Sequence, residues 1–147
     1  EKIFNHHGVH PDRCEECRLD CSSGSLGQGL PIAVGMALAD RTKNVYCLIS
    51  DGECSEGSIW EALRIIKEQN LKNLKLRINI NGWGAYKKIP TYKSGTELSI
   101  FIGEDWQEVA RYTNVNDFPF LKGQDAHYKV LSEEEYKEAL GVINYAS

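Results

Sequence analysis

The pattern of apolar and polar positions predicts two helices and two short strands in the first two thirds of the chain. The first helix is expected to begin at Ser25, a residue type that favours the N-cap, with Pro31 near its first turn, where a helix tolerates proline. Its apolar residues fall on most sides of the helix, which predicts a buried element, and they are Ile32, Val34, Met36, Ala37 and Leu38.

A strand, a second helix and a second strand follow in that order. The strand 44–50 (NVYCLIS) is predicted to be buried, the helix 58–69 has one apolar face, and the second strand is 75–80 (KLRINI). Because two strands joined by a helix run parallel in one sheet, the pattern predicts a βαβ unit. The fold class is therefore α/β, with a parallel sheet flanked by helices.

The C-terminal third has a weaker pattern. Residues 84–103 are predicted to form a long loop, 104–112 a helix and 118–121 an edge strand. Ser132 and Glu135 form a capping box, which predicts the start of a further helix.

Composition and charge exclude several classes of protein. The chain has 147 residues, enough for a single domain over 1–147 with a loop-rich segment at 1–24. Its net charge of −4 is not the positive charge that nucleic-acid binding favours. No apolar run approaches the ~20 residues of a membrane span. An odd number of cysteines, five, without an export signal predicts a reducing cytoplasm.

Polar residues follow both predicted strands. Asp51-Gly52 comes after the first strand and Asn81-Gly82 after the second. Ligands bind at the carboxyl ends of parallel strands, and a carboxylate with an amide oxygen suits Mg²⁺. Each pair is also a common turn sequence, so the residues alone leave both interpretations open.

Several short motifs, taken in their order along the chain, resemble those of a known protein family. The motifs that carry it are His10-Pro11-Asp12, Gly24-Ser-Leu-Gly-Gln-Gly-Leu30, Ala33-Val-Gly-Met-Ala-Leu-Ala39, Asp51-Gly52-Glu53, Glu56-Gly57, Trp60-Glu61-Ala62, Asn79-x-Asn81-Gly82, His127-Tyr-Lys and Glu134-Glu-Tyr. In this order they resemble the thiamine-diphosphate signature of the transketolase family, in its diphosphate-binding N-terminal domain or free-standing N-terminal subunit, in shortened form. Ser50 departs from the pattern because it replaces the first glycine of the family's Gly-Asp-Gly.

The resemblance implies a role for each matching residue. Asp51, Asn81 and the Trp83 carbonyl would bind Mg²⁺. Further positions would contact thiamine diphosphate, namely Gly24, Leu26, Gly52 and Glu53. Positions implied to act in catalysis are His10, Glu56 and His127, while Glu56 and Glu61 match acidic residues at a subunit interface of the family.

The same resemblance implies two-carbon ketol transfer between sugar phosphates. The chain would supply the diphosphate half of the site, and a C-terminal pyrimidine-domain subunit would supply the other half, in a homodimer or heterotetramer. Two alternatives stay open. One is a subunit of another thiamine-diphosphate enzyme, of the 2-oxoacid dehydrogenase or deoxyxylulose-phosphate synthase type. The other is a reduced, non-catalytic binding protein.

A separate cluster of metal-binding residue types lies near the N-terminus. Cys14, Cys17 and Cys21, with His10, have spacing compatible with a structural Zn²⁺ site. Free thiols in a loop are the alternative interpretation, since the segment has no second Cys-x-x-Cys. A zinc ion held in this way would also occupy His10, which the family resemblance places at the cofactor.

Overall fold

A computed structural model describes residues 7, 10–89, 91–103, 109–124 and 129–145. Within these ranges the helices are α1 (Gly29–Ala39), α2 (Gly57–Glu68), α3 (Thr91–Ile102) and α4 (Glu133–Tyr145). The strands are β1 (Val45–Ser50), β2 (Leu74–Ile80) and β3 (Ala110–Tyr112). None of these helices combines the length and the apolar character that crossing a membrane requires.

The three strands form one parallel sheet in the order β1-β2-β3. The Val45 N–H donates to the Asn73 carbonyl, and the Asp51 N–H donates to the Asn79 carbonyl. In both bonds the two partners are separated by the same number of residues in the sequence, so β1 and β2 run in the same direction. β3 pairs with β2 in parallel, with Ile78 opposite Ala110. The predicted α/β class and the β1-α2-β2 unit are confirmed.

The chain divides into two compact units, Glu1–Ile49 with Glu53–Arg77 and Ser50–Gly52 with Ile78–Ser147. In the first unit α1 packs against α2. The buried apolar side chains of these helices are Leu30, Ala33, Val34, Ala37, Ile59, Ala62 and Leu63. Among the described side chains of the second unit, the buried apolar ones are Ile78, Ile80, Leu98, Ala110 and Ala139.

The first helix differs from its prediction in two respects. It begins at Gly29, not Ser25, because the Ser25 carbonyl accepts the Gln28 N–H in a turn that precedes the helix. It is buried along only one face, and Ile32, Met36 and Leu38 are 39%, 37% and 40% exposed. The apolar residues around this helix therefore include a set that the described residues leave uncovered.

The strand β1 also differs from the predicted buried strand. Tyr46 and Leu48 are 77% and 73% exposed, whereas Ile49 is buried. β1 lies at the edge of the described sheet, and its alternate residues point to opposite sides. In the central strand β2 the residues of one side are buried, and the predicted strand 75–80 is confirmed with one added residue.

Three C-terminal predictions are wrong. The predicted loop 84–103 contains α3, which buries Leu98 completely. Residues 110–112, predicted to be helical, form β3 because they pair with β2, and 104–108 lie outside the described residues. At 118–121 the Leu121 N–H donates to the Phe118 carbonyl in a turn, so no strand forms there.

The predicted second helix and the capping box are confirmed. α2 spans Gly57–Glu68 against a predicted 58–69. Before α4, the Ser132 N–H donates to the Glu135 carboxylate at 2.9 Å, and the Glu135 N–H donates to the Ser132 hydroxyl at 3.2 Å. Both hydrogen bonds of a capping box are present, so helix α4 begins where the sequence predicts.

The side chain of Asn73 joins the end of α1 to the start of β2. Its Nδ2 group lies 3.1, 3.2 and 3.0 Å from the carbonyl oxygens of Ala37, Asp40 and Lys43. It therefore satisfies carbonyl groups that the end of the helix and the following turn leave without helical partners.

We predict that Asn73→Ala lowers the free energy of unfolding by about 1–3 kcal/mol, because the carbonyl groups lose their shared donor. The measurement is urea denaturation followed by circular dichroism. Lys72→Ala removes a neighbouring exposed side chain and should change stability by less than about 0.5 kcal/mol. Equal effects of the two variants would contradict the assigned role of Asn73.

Candidate functional site

Asp51, at the end of β1, carries a buried carboxylate. The residue is 1% exposed, and its Oδ1 and Oδ2 accept the N–H groups of Gly52 at 3.0 Å and Gly82 at 2.9 Å. Burial raises the pKa of Asp51, while hydrogen bonds from the backbone of Gly82, Asn81 and Gly52 oppose that shift. Within the described part of the chain no Lys, Arg or His forms an ion pair with it.

The turn after β2 brings the other predicted metal ligands into the same unit. The Asn81 Oδ1 accepts the Trp83 N–H at 2.8 Å, so the amide oxygen already fixes the turn. A carbonyl-type oxygen has two lone pairs, and one hydrogen bond leaves the second available. Asp51 reaches the same turn through the Gly82 N–H. The structure therefore brings together the turns that contain Asp51, Asn81 and Trp83.

Gly52 lies against this turn. A Cβ atom at Gly52 would be 3.0 Å from the Gly84 Cα and 3.2 Å from the Trp83 carbonyl oxygen. Only glycine lets the two turns approach this closely. A contact with a diphosphate, the role that the resemblance implies for Gly52, stays a prediction.

The loop that carries Trp83 folds back on itself. The Gly84 N–H donates to the Lys87 carbonyl, and the Ile89 N–H donates to the Gly82 carbonyl. The Gln124 Nε2 also donates to the carbonyl oxygens of Gly84 and Ala85, at 2.9 and 3.0 Å. These bonds fix the backbone next to the Trp83 carbonyl.

A glycine-containing loop before α1 carries other predicted cofactor residues, all in the first unit. The Gly27 N–H donates to the Glu53 carboxylate at 2.9 Å, and the Ser58 hydroxyl donates to the Gly27 carbonyl at 2.8 Å. Gly27 has φ +82°. The loop is therefore attached to the 3₁₀ turn Glu53–Ser55 and to the first turn of α2.

His10 and Gly24, both predicted from the resemblance, lie in contact. A Cβ atom at Gly24 would be 2.9 Å from the His10 Cδ2 atom, and Gly24 has φ +146°. Leu26, in the same loop, is 47% exposed. His10 thus packs on a backbone position that only glycine fills without strain, and Leu26 is left accessible.

The remaining predicted site residues are Glu56, Glu61 and His127. Glu56 directly precedes α2. Its Cβ atom lies 2.7 Å from the position that a Cβ atom at Gly27 would occupy. Glu61 is exposed on α2. His127 lies outside the described residues.

The cysteine cluster differs from the predicted set. Ligand atoms of His7, Cys14 and Cys17 lie within 4.8 Å of one another, whereas Cys21 and His10 are not in that group. The sequence spacing identified the Cys14–Cys17 pair. It missed His7 because no spacing rule distinguishes one of several nearby histidines.

Three supporting residues were not predicted. Ser58, Gln124 and Thr113 contact the site elements through space, and Thr113 donates its hydroxyl to the Asn79 side chain at 2.7 Å. Ser58 lies within the EGS segment of the motif, so its position next to Glu56 was the one available signal. Gln124 and Thr113 are in the part of the chain where the pattern is weakest.

The chain matches a protein-family model over most of its length. A family model described as thiamine pyrophosphate enzyme, C-terminal TPP binding domain, matches residues 5–118. The resemblance implied a domain at the N-terminus, and that position stays a prediction. Thiamine pyrophosphate and thiamine diphosphate are two names for the same compound.

Transketolases are among the similar proteins. The transketolase of Pongo abelii is 43% identical over 76 residues, which is 48% of this chain and 12% of that protein. The transketolase of Homo sapiens has the same identity and coverage. Transketolase-like protein 2 of Mus musculus is 45% identical over 71 residues, 45% of this chain and 11% of that protein. The match thus spans about an eighth of the length of these relatives.

We predict that Gly27→Ala destabilises the first unit by at least about 2 kcal/mol. The new Cβ would lie 2.5 Å from the Ser58 Oγ and 2.7 Å from the Glu56 Cβ, at a φ of +82° that alanine disfavours. Gly29→Ala is the matched control, since a Cβ there meets nothing within 4 Å. Urea denaturation measures both variants, and an unchanged Gly27→Ala midpoint would disprove the steric argument.

Proposed function

Because the chain belongs to the transketolase family of thiamine pyrophosphate enzymes, we propose that it binds the diphosphate of thiamine diphosphate through Mg²⁺. We further propose that it acts in two-carbon ketol transfer between sugar phosphates. When bound, thiamine diphosphate supplies the carbon centre that allows a C–C bond next to a carbonyl to break. The residues of the chain provide binding, orientation and exclusion of water.

The buried carboxylate of Asp51 is the observation that supports the metal site most directly. Burying a carboxylate is unfavourable unless hydrogen bonds or a cation compensate. Backbone N–H groups, including those of Gly52 and Gly82, supply part of the compensation, and no cationic side chain among the described residues supplies the rest. A divalent cation fits this deficit, and an oxygen donor set is what Mg²⁺ prefers.

Asn81 and the Trp83 carbonyl are the proposed companions of Asp51. Both belong to the turn that Asp51 holds through Gly82, and Gln124 fixes the backbone just beyond Trp83. A rigid turn of this kind keeps oxygen donors in place before the metal arrives, which lowers the entropy cost of binding. Phosphate oxygens and water would complete the octahedral shell.

The loop of Gly24, Leu26 and Gly27 is proposed to contact the organic part of the cofactor. Glu53 and Ser58 fix the backbone of Gly27, which leaves the exposed Leu26 side chain on an ordered loop. His10, packed on Gly24, is proposed to bind substrate or transfer a proton there. For Glu56 and His127 we retain the catalytic roles that the resemblance implies.

We also propose that a pyrimidine-binding domain on a partner subunit completes the site. Ile32 and Met36 are exposed, lie one turn apart on the side of α1 away from its buried residues, and support an interface on this helix. Apolar side chains grouped on one helix are typical of surfaces that another protein covers. No disulfide joins any of the five cysteines, which is compatible with the proposed cytoplasmic location.

We predict that thiamine diphosphate binds to the chain with Mg²⁺ and more weakly with EDTA. Asp51→Asn should reduce the Mg²⁺-dependent affinity at least about tenfold, because a neutral amide replaces the charged ligand and also cannot accept both backbone N–H groups. Isothermal titration calorimetry measures the affinity, and circular dichroism checks the fold.

Asp40→Asn is the matched control for this charge change. The Asp40 carboxylate bonds Thr42 and Lys43 at the end of α1 and has no predicted ligand role. Its affinity for the cofactor should equal that of the wild type. If Asp51→Asn binds as tightly as Asp40→Asn, Asp51 is not a metal ligand.

A separate prediction concerns the interface. Met36→Glu should weaken self-association or co-purification with a pyrimidine-domain subunit, because a charge would enter an apolar contact. Val130→Glu adds the same charge at a residue that is 85% exposed and should have no effect. Size-exclusion chromatography with light scattering measures the assembly, and equal behaviour of both variants would exclude α1 as the interface.

A further inference from the structure

The segment Cys14–Leu19 is a tight turn that carries two cysteines. The Cys14 and Leu19 backbones exchange hydrogen bonds at 2.9 and 2.8 Å, which closes a tight turn. Arg18 reverses the chain with φ +57°, an unusual value for a residue other than glycine. The turn keeps Cys14 and Cys17 on one short loop.

The Cys17 N–H donates to the Cys14 Sγ at 3.3 Å. A backbone donor aimed at a sulfur atom stabilises negative charge there, and thiolate is the form of cysteine that binds metals. This hydrogen bond therefore prepares the Cys14 sulfur for a cation.

His7 provides the third ligand atom. Its Nε2 atom is buried and has no hydrogen-bond partner among the described residues. A buried imidazole nitrogen without a partner carries a desolvation cost, and a metal ion would remove that cost.

The distances suit a tetrahedral ion. The ligand atoms of His7, Cys14 and Cys17 lie within 4.8 Å of one another. In a tetrahedral zinc site adjacent ligand atoms lie roughly 3.3–3.8 Å apart. A shortening of each distance by about 1.5 Å or less would therefore let the three atoms bind one ion.

We propose that His7, Cys14 and Cys17 bind one Zn²⁺, with water in the fourth position. On binding, the two thiols release their protons to the solvent, zinc gives up bound water, and no electron is transferred. Two thiolates with an imidazole favour zinc over Mg²⁺ or Ca²⁺. The ion would join His7 to the turn that carries Cys14 and Cys17.

The other cysteines are not part of the site. Cys21 lies outside the group of ligand atoms, and Cys54 is buried in its 3₁₀ turn. Burial raises the pKa of Cys47 to about 11, so this thiol stays protonated near neutral pH. They serve as internal controls for the assignment.

The test uses the full chain without a histidine tag, reduced, kept anaerobic and stripped of metal. We expect one Zn²⁺ per chain by mass spectrometry under native conditions. Co²⁺ should give thiolate-to-cobalt charge-transfer absorption with the visible bands of a tetrahedral ion. His7→Ala and Cys17→Ser should each lower the zinc affinity more than about 100-fold, since loss of a supporting outer partner alone costs 10–100-fold.

Matched variants separate this site from its neighbours. His10→Ala and Cys21→Ser should retain wild-type zinc affinity. His7→Cys keeps a ligand at this position and should bind zinc much more tightly than His7→Ala. Zinc should also slow tryptic cleavage after Arg18 in the wild type but not in Cys17→Ser. Asp51→Asn should bind zinc normally, so this outcome is independent of the proposed cofactor site.

Three results would overturn the proposal. One is the absence of stoichiometric zinc in the reduced chain. Another is unchanged affinity in His7→Ala. The third is loss of binding in Cys21→Ser, which would indicate the set of three cysteines that the spacing alone suggests.

Discussion

The hydrogen bonds of the Asp51 carboxylate fix the site elements of the second unit. One oxygen accepts the N–H of Gly52 in its own turn, and the other accepts the N–H of Gly82 in the turn after β2. A single buried side chain therefore links the ends of two neighbouring strands. Because burial raises its pKa, the carboxylate is charged at a cost that the fold meets only in part. The divalent cation proposed for this site would offset the remaining cost.

Two glycines, Gly52 and Gly27, allow close approaches of the backbone because they have no side chain. At Gly52 the limit is the approach of Gly84 and the Trp83 carbonyl, and no unusual φ is involved. At Gly27 both the positive φ and the closeness of Ser58 exclude a side chain. Substitution is therefore unfavourable at Gly52 because of a close contact, and at Gly27 because of both a close contact and a positive φ. A sequence motif shows glycine at both positions and does not distinguish these causes.

The parts of the fold that follow from local pattern were predictable, and those that depend on distant pairing were not. Helix α2 has a strong amphipathic period and β2 alternates along its length, so both were found within one residue. β3 is a three-residue strand that pairs with Ile78–Ile80, about thirty positions away in the sequence, so its extended conformation depends on a distant contact. Helix α3 was missed because its first half is polar and only Leu98 marks its buried side among the described side chains.

The same distinction applies to the candidate site. Asp51 and Asn81 were predictable because each follows a strand, and the topology of a parallel sheet brings strand ends together. Gln124 was not, because it reaches Gly84 across forty positions of sequence through one amide group. Gln124 and Thr113 support the site without forming it, and neither lies in a recognisable motif, so their roles are visible only in the folded structure.

The N-terminal segment resolves a conflict that the sequence left open. A zinc site that included His10 would have removed that residue from the cofactor loop. The structure groups His7, not His10, with Cys14 and Cys17, and it packs His10 against Gly24. Two histidines separated by two residues thus have different environments, one facing sulfur atoms and one facing a glycine backbone. Because the two positions are separate, the zinc ion proposed for His7, Cys14 and Cys17 and the substrate contact proposed for His10 would not compete.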